Sequence, residues 1–352
     1  MKRILSLFAL LLFLTASLRA AAATADDTAR FLAGLPCGSD SPLRQIESEK
    51  AWRDHAAFFN GAWTNLQRRQ LDPIARSSVL GEAASTTGPM FYMFSGPDFL
   101  YASAFFPHAS TYILAGLEPT GPLPDVTKPD DRLPDELANL RKSLDALLNW
   151  SFFRTKDMKI DLKQTRLSGT LPVLYVFLAR QNCRIQSVDF VTLDASGNIV
   201  PAQEGAMGVR ILFSGPGGKQ TLYYFSTNLA DGDINPKFLS FCAKQGDGVS
   251  LLKAASYLMH YDGFSTIRKF LLSHTKTIVQ DDSGIPLKYF DQKTWRLRFE
   301  GVYTGPTALF KERYQADLME VYSNSHPAPM TFGFGYQWRP KSSNLMVAER
   351  LK

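Results

Sequence analysis

PMFYMFSGPDFLYASAFFPHASTYILAGLEPTG, residues 89–121, is the stretch on which the fold turns. Met90 to Phe94 is an unbroken apolar run, Ser95-Gly96-Pro97-Asp98 makes a turn, and Phe99 to Phe106 allows a short helix that Pro107 ends. Thr111 to Glu118 is strand-like again, with β-branched and aromatic residues at its start. The first run does not alternate, so its strand is expected to be covered on both faces, as in parallel sheets flanked by helices. Strand, helix and parallel strand then form a right-handed crossover.

Upstream of this unit, Ser41-Pro42 opens a helical pattern running to about Gln70. Trp52, Ala56, Phe59, Trp63 and Leu66 form one apolar stripe, and His55 falls beside it on the expected helix surface. Downstream, residues 119–134 carry five prolines and read as a surface loop. A helix follows, with Pro134-Asp135-Glu136 in its first turn and Leu137, Leu140, Leu144 and Leu147 as its stripe. A further strand is expected within 153–162, a buried helix over 169–181, a strand over 185–193, and a hairpin with strands 209–213 and 221–225. Three helical segments are expected at 235–244, 249–260 and 265–274, the last capped by Ser265. Short strands at 277–279 and 295–303, a helix over 308–322 and a final strand over 331–338 complete the pattern. The fold class is therefore α/β: a mixed, mostly buried central sheet with helices on both faces, plus an N-terminal helical arm.

Residues 1–25 read as a signal peptide: Lys2 and Arg3, an apolar run to Leu18, then small residues from Ala20 to Ala25. The expected organisation is this leader, a helical arm over 26–82, a mixed body over 83–340 and a C-terminal tail over 341–352. No other stretch is long and apolar enough to span a membrane. The net charge is +6, and +3 once Lys2, Arg3 and Arg19 are removed, which argues for neither nucleic acid nor a membrane surface. Of three cysteines, Cys183 and Cys242 are the pair an oxidising compartment could join; three separate buried thiols is the other reading. CxxC spacing is absent.

An aromatic residue followed by Ser or Thr, Gly and Pro occurs three times: at Ser95-Gly96, Ser214-Gly215 and Thr304-Gly305. Glycine there lets backbone N–H groups approach a ligand, so these six residues are candidate ligand contacts for a small or anionic molecule; the alternative is ordinary turns. Ligands of open α/β sheets gather at the carboxyl ends of strands, which places Asp98, Glu118, Asp281 and Asp282 at one rim. Asp281 and Asp282 enter a Ser-Gly turn, where they either do acid–base chemistry or shape the turn. His260, with Asp262, is a candidate acid–base partner; capping a helix end is its other reading. HExxH, GxSxG, GxGxxG and GxxxxGK[ST] patterns are absent, and nothing in the sequence identifies a metal site or a cofactor. An export signal argues against nicotinamide and adenosyl-methionine cofactors.

Three function classes stay open on this reading. They are a cofactor-independent hydrolase using the rim carboxylates and His260, a non-catalytic binding protein for a small or anionic ligand, and a partner-binding scaffold. The oligomeric state is not legible.

Overall fold

A computed structural model describes residues 22–127, 130–152 and 166–351. The expected leader, apart from its last residues, and the strand expected within 153–162 lie outside the described residues.

The central unit forms as its pattern requires. Pro89–Tyr92 (β1) is buried along its whole length and pairs in parallel with Thr111–Gly116 (β2). Eight further strands join them in one sheet: Arg184–Leu193 (β3), Ile199–Pro201 (β4), Gly208–Gly215 (β5), Gly218–Ser226 (β6), Gly248–Leu252 (β7), Thr275–Gln280 (β8), Trp295–Gly301 (β9) and Asn344–Arg350 (β10). Their order is β4-β3-β5-β6-β2-β1-β7-β8-β10-β9. The middle five, β6 to β8, are parallel; the flanking pairings are antiparallel.

The described helices are Ala25–Leu32 (α1), Lys50–Leu66 (α2), Asp72–Arg76 (α3), Phe99–Phe105 (α4), Leu133–Asn149 (α5), Leu171–Arg180 (α6), Pro236–Lys244 (α7), Ser265–His274 (α8) and Ala316–Ser325 (α9). Two apolar layers sandwich the sheet. Phe99, Leu137, Leu174 and the arm residues Phe31 and Phe59 pack with Tyr92 and Tyr112 on one face. Phe241, Ile267 and Phe270 pack with Phe91, Ile113 and Ile278 on the other. This is the mixed α/β fold with helices on both faces. No described helix is long and apolar enough to cross a membrane.

Several expectations are corrected. Residues 248–252 are not helical: they form β7, between β1 and β8, because a five-residue run buried on both faces, with Ser250 amid Val249, Leu251 and Leu252, has no periodicity to distinguish it from helix. Residues 331–338 contain only one isolated bridge, between Phe334 and Gln337. The last strand is instead 344–350, placed as a tail by sequence and found inserted between β8 and β9. The helix expected over 41–70 is a tight turn at 42–48, then α2, then a wide π-type turn over Gln67–Leu71 that leads into α3. Ser265 does not cap α8; Asp231 does, accepting the Ser265 and Thr266 N–H groups at 3.1 and 2.8 Å. Cys183 and Cys242 are not joined: they lie in the cores on opposite faces of the sheet, and all three thiols are free and buried.

Candidate functional site at the switch point of the sheet

β1 hands the chain through α4 to β2 on one side, while β7 hands it through α8 to β8 on the other. Since α4 and α8 lie on opposite faces, the two connections part at the carboxyl ends of β1 and β7. Open α/β sheets bind ligands in the crevice at such a point. Both exits carry strained backbone: Phe94 and Ala254, neither a glycine, have φ of 61° and 56°.

A buried ion pair fills the gap. Lys253 follows β7 and Asp98 caps α4; the Lys253 ammonium lies 2.8 Å from Asp98 Oδ2, and each side chain is 2% exposed. Tyr92 donates its hydroxyl to the same oxygen at 2.8 Å, and Asp98 Oδ1 accepts the Tyr101 N–H at 3.1 Å. Lys253 also donates to the Ser151 carbonyl and sits 4.1 Å from the centre of the Tyr101 ring. Both charges are therefore compensated, as burial demands.

The exit of β8 adds two more buried carboxylates. Asp281 accepts from Ser283 N–H at 3.0 Å and from the Ser283 hydroxyl on one oxygen, and from Ala254 N–H at 3.4 Å on the other. Gly335 lies against that second oxygen so closely that a Cβ would stand 1.6 Å from it. Ser151 donates to the Gly335 carbonyl at 2.7 Å, so one short contact covers Asp281 and Lys253 together. Burial, then the neighbouring Asp282 charge, raise the Asp281 carboxyl to about 7. Asp282 points another way, as strand alternation requires. It accepts from the Tyr257 hydroxyl at 2.5 Å and from Asn344 Nδ2 at 2.9 Å, and burial raises its pKa against those hydrogen bonds.

The predicted residues divide. Asp98, Asp281 and Asp282 gather at the switch point. Glu118 lies on the same edge one strand further along, buried, with its carboxylate folded over Gly96 and Gly116. The Ser95 hydroxyl donates to the Gly96 carbonyl, and both Ser95 and Gly96 turn their N–H groups to the Ala115 carbonyl. Thr304 and Gly305 follow β9 on this edge as well, where the Gly305 carbonyl accepts from Gln337 at 2.7 Å. Ser214 and Gly215 do not belong: they form the β5–β6 turn at the amino ends of the parallel strands, where Ser214 accepts from Gln186. The Gly-Pro motif marks strand ends without saying which end.

His260 makes no hydrogen bond with Asp262, which is exposed. Its ring lies 5.4 Å from that of Tyr257, its Nε2 is buried without a hydrogen-bond partner among the described residues, and burial, offset in part by the Gly284 backbone, lowers its pKa to about 4. His55, expected on a surface, is fully buried with Nε2 2.7 Å from the Leu32 carbonyl, fastening the arm.

Sequence reasoning missed Lys253, Ser151 and Gly335. A lysine ending an apolar run was the available signal for the first; the other two come from the fold alone. The cluster is enclosed: the cavity touching Asp281 and Asp282 measures 10 Å³, room for about one water. A cavity of 740 Å³ lies instead at the opposite edge, between Asp26, Arg30, Cys37 and Arg184. Among the described residues no three His, Cys, Asp or Glu side chains converge as metal ligands. No family model, curated protein or solved structure matches the chain.

Proposed function

We propose that the chain is a cofactor-independent hydrolase whose proton-transferring group is Asp281, beside the Asp98–Lys253 pair. One observation supports this most: a carboxyl held near neutrality by burial stands at the switch point of a parallel sheet. A group half-protonated at working pH can take a proton from an attacking water and return it to the leaving group. Lys253, fixed by Asp98, would face the negative charge that develops on the substrate. Substrate would reach them by displacing the Ser151–Gly335 contact. Glu118 and the Thr304-Gly305 turn are the proposed rim contacts; the Ser95 and Gly96 N–H groups are already taken by the Ala115 carbonyl.

The enclosure supports a second reading. Both oxygens of Asp98 and of Asp282 already have partners within the chain, which suits a protein that binds a small anionic ligand at the rim without turning it over.

Purified protein and Asp281→Asn should be assayed against ester, phosphoester and glycoside panels, with thermal shifts recorded for the same compounds. The hydrolase reading expects turnover that falls about 100-fold or more in the variant. Thermal shifts without turnover would favour the second reading.

We further propose that residues 1–25 direct export to the periplasm or beyond. Fractionation of cells expressing the chain with and without them is the test.

A further inference from the structure

The sheet ends in two unlike edges. β4 is three residues long and finishes at Pro201, which blunts it. β9, at the other edge, has seven residues and no proline, and among the described residues it pairs only with β10. Both ends of its outer backbone are closed: the Trp295 N–H donates to the Asp291 carbonyl and the Gly301 N–H to the Ala328 carbonyl, each at 2.8 Å. N–H groups alternate in direction along a strand, so those of Leu297 and Phe299, lying between, also face outward. No backbone group meets them there among the described residues. The side chains of Trp295, Leu297 and Phe299 line a groove of 640 Å³ on one face of the same edge, with Leu287 and Val321 as further apolar lining. All but Trp295 are only half-buried. Asp317 and Glu320 of α9 also line the groove, exposed and in no ion pair among the described residues. Lys288, the lysine of the lining, is held 5.2 Å from the centre of the Tyr289 ring.

We infer that the β9 edge takes up an extended peptide as an added strand, one with apolar residues at alternate positions and a lysine or arginine among them. The free N–H and C=O groups of Leu297 and Phe299 supply main-chain hydrogen bonds, and the groove beside them supplies selectivity. Every second side chain of the incoming strand falls on the groove face, next to Leu297 and Phe299. A basic side chain there meets Asp317 and Glu320. A helix laid in the groove would leave the strand edge unpaired. A second copy of this chain is disfavoured by charge. Pairing through the same window, Leu297 against Phe299, would set Arg298 opposite its own counterpart, and Arg298 already shares the single carboxylate of Glu349 with Arg296. Like charges directly opposite are destabilising. The inference is independent of the hydrolase reading.

The test is selection of displayed random heptapeptides on the purified protein, with the enriched sequences then measured as synthetic peptides. Enriched sequences are expected to alternate apolar residues and to carry lysine or arginine. N-methylation reads the backbone. Methylating every second amide in one phase should weaken binding about tenfold or more, and in the other phase should change it little, because only one set faces β9. Asp317→Asn with Glu320→Gln should weaken binding severalfold at low salt and less at high salt. Both side chains are exposed, so an unchanged melting temperature will show that this variant is folded. Enrichment of no alternating sequence, equal effects of the two methylation phases, or binding indifferent to the charge variant would each overturn the inference. So would ultracentrifugation showing dimers that are lost in Leu297→Lys, which would make the occupant of the edge a second copy.

Discussion

Asp98 and Lys253 leave adjacent parallel strands whose connections run in opposite directions, and their charged atoms meet 2.8 Å apart in the gap. The pair ties three elements: the start of α4, the exit of β7 and, through the Ser151 carbonyl, the segment after α5. A substrate or ligand entering here meets a charge arrangement already fixed by the fold.

Removing either partner strands the other charge in the interior. Asp98→Asn and Lys253→Met should each cost about 3–5 kcal/mol, and the double variant should cost less than their sum by roughly 2 kcal/mol. Urea denaturation of the four proteins measures this. Costs that add to within about 0.5 kcal/mol would mean the two charges do not depend on each other.

Asp281 makes the stability depend on pH in an unusual direction for a carboxylate. Its folded pKa lies above the unfolded value of about 3.9, so the folded state holds the proton more tightly. The contribution is present below about pH 4 and is lost as pH rises through about 7. Asp281→Asn should lose this decline, which thermal melts between those limits would record. If hydrolysis is found, the same variant should also lose the limb of the pH–rate profile near neutrality.

The legible parts of the fold are those whose local pattern has one reading. Residues 89–116 announce strand, turn, helix and strand because Gly96-Pro97 and Pro107 punctuate a continuous apolar run. Asp98, Asp281 and Asp282 were found because acids at strand exits point to the carboxyl edge. Val249 to Leu252 has no such signature, and missing that strand removed Lys253 from view. Residues 331–338 alternate aromatics and glycines as a strand would, yet Gly335 is needed for its φ of 65° and its lack of a side chain. The true last strand is chosen by its partners β8 and β9, which no local pattern reveals.

The histidines act against Asp281 in acid. His55 is buried, and Arg141 and Arg180 add to its reluctance to take a proton, while the Leu32 carbonyl works the other way; its pKa falls to about 4. Arg141 reaches Nδ1 at 3.3 Å and Nε2 faces the Leu32 carbonyl, which fits the neutral ring. With the folded pKa below the unfolded value, this stability is present above about pH 6.5 and lost as pH falls toward 4, on the order of 3 kcal/mol. His55→Gln should flatten that acid limb in chemical denaturation at pH 7 and pH 4.5, and an imidazole titrating near its ordinary value by NMR would refute the assignment.

Gly335 and Asp281 give the sharpest test of the cover. A methyl at position 335 would meet Asp281 Oδ2 at 1.6 Å, on a backbone already left-handed, so Gly335→Ala should cost more than the roughly 1 kcal/mol that φ alone imposes. Shortening Asp281 to alanine removes the atom it strikes. Gly335→Ala should therefore be less damaging in an Asp281→Ala background than in the wild type, by about 1 kcal/mol or more. Melting curves of the two singles and the double decide it. An unchanged cost in both backgrounds would place the strain in the backbone alone, and the Ser151–Gly335 contact would then not be the cover through which Asp281 is reached.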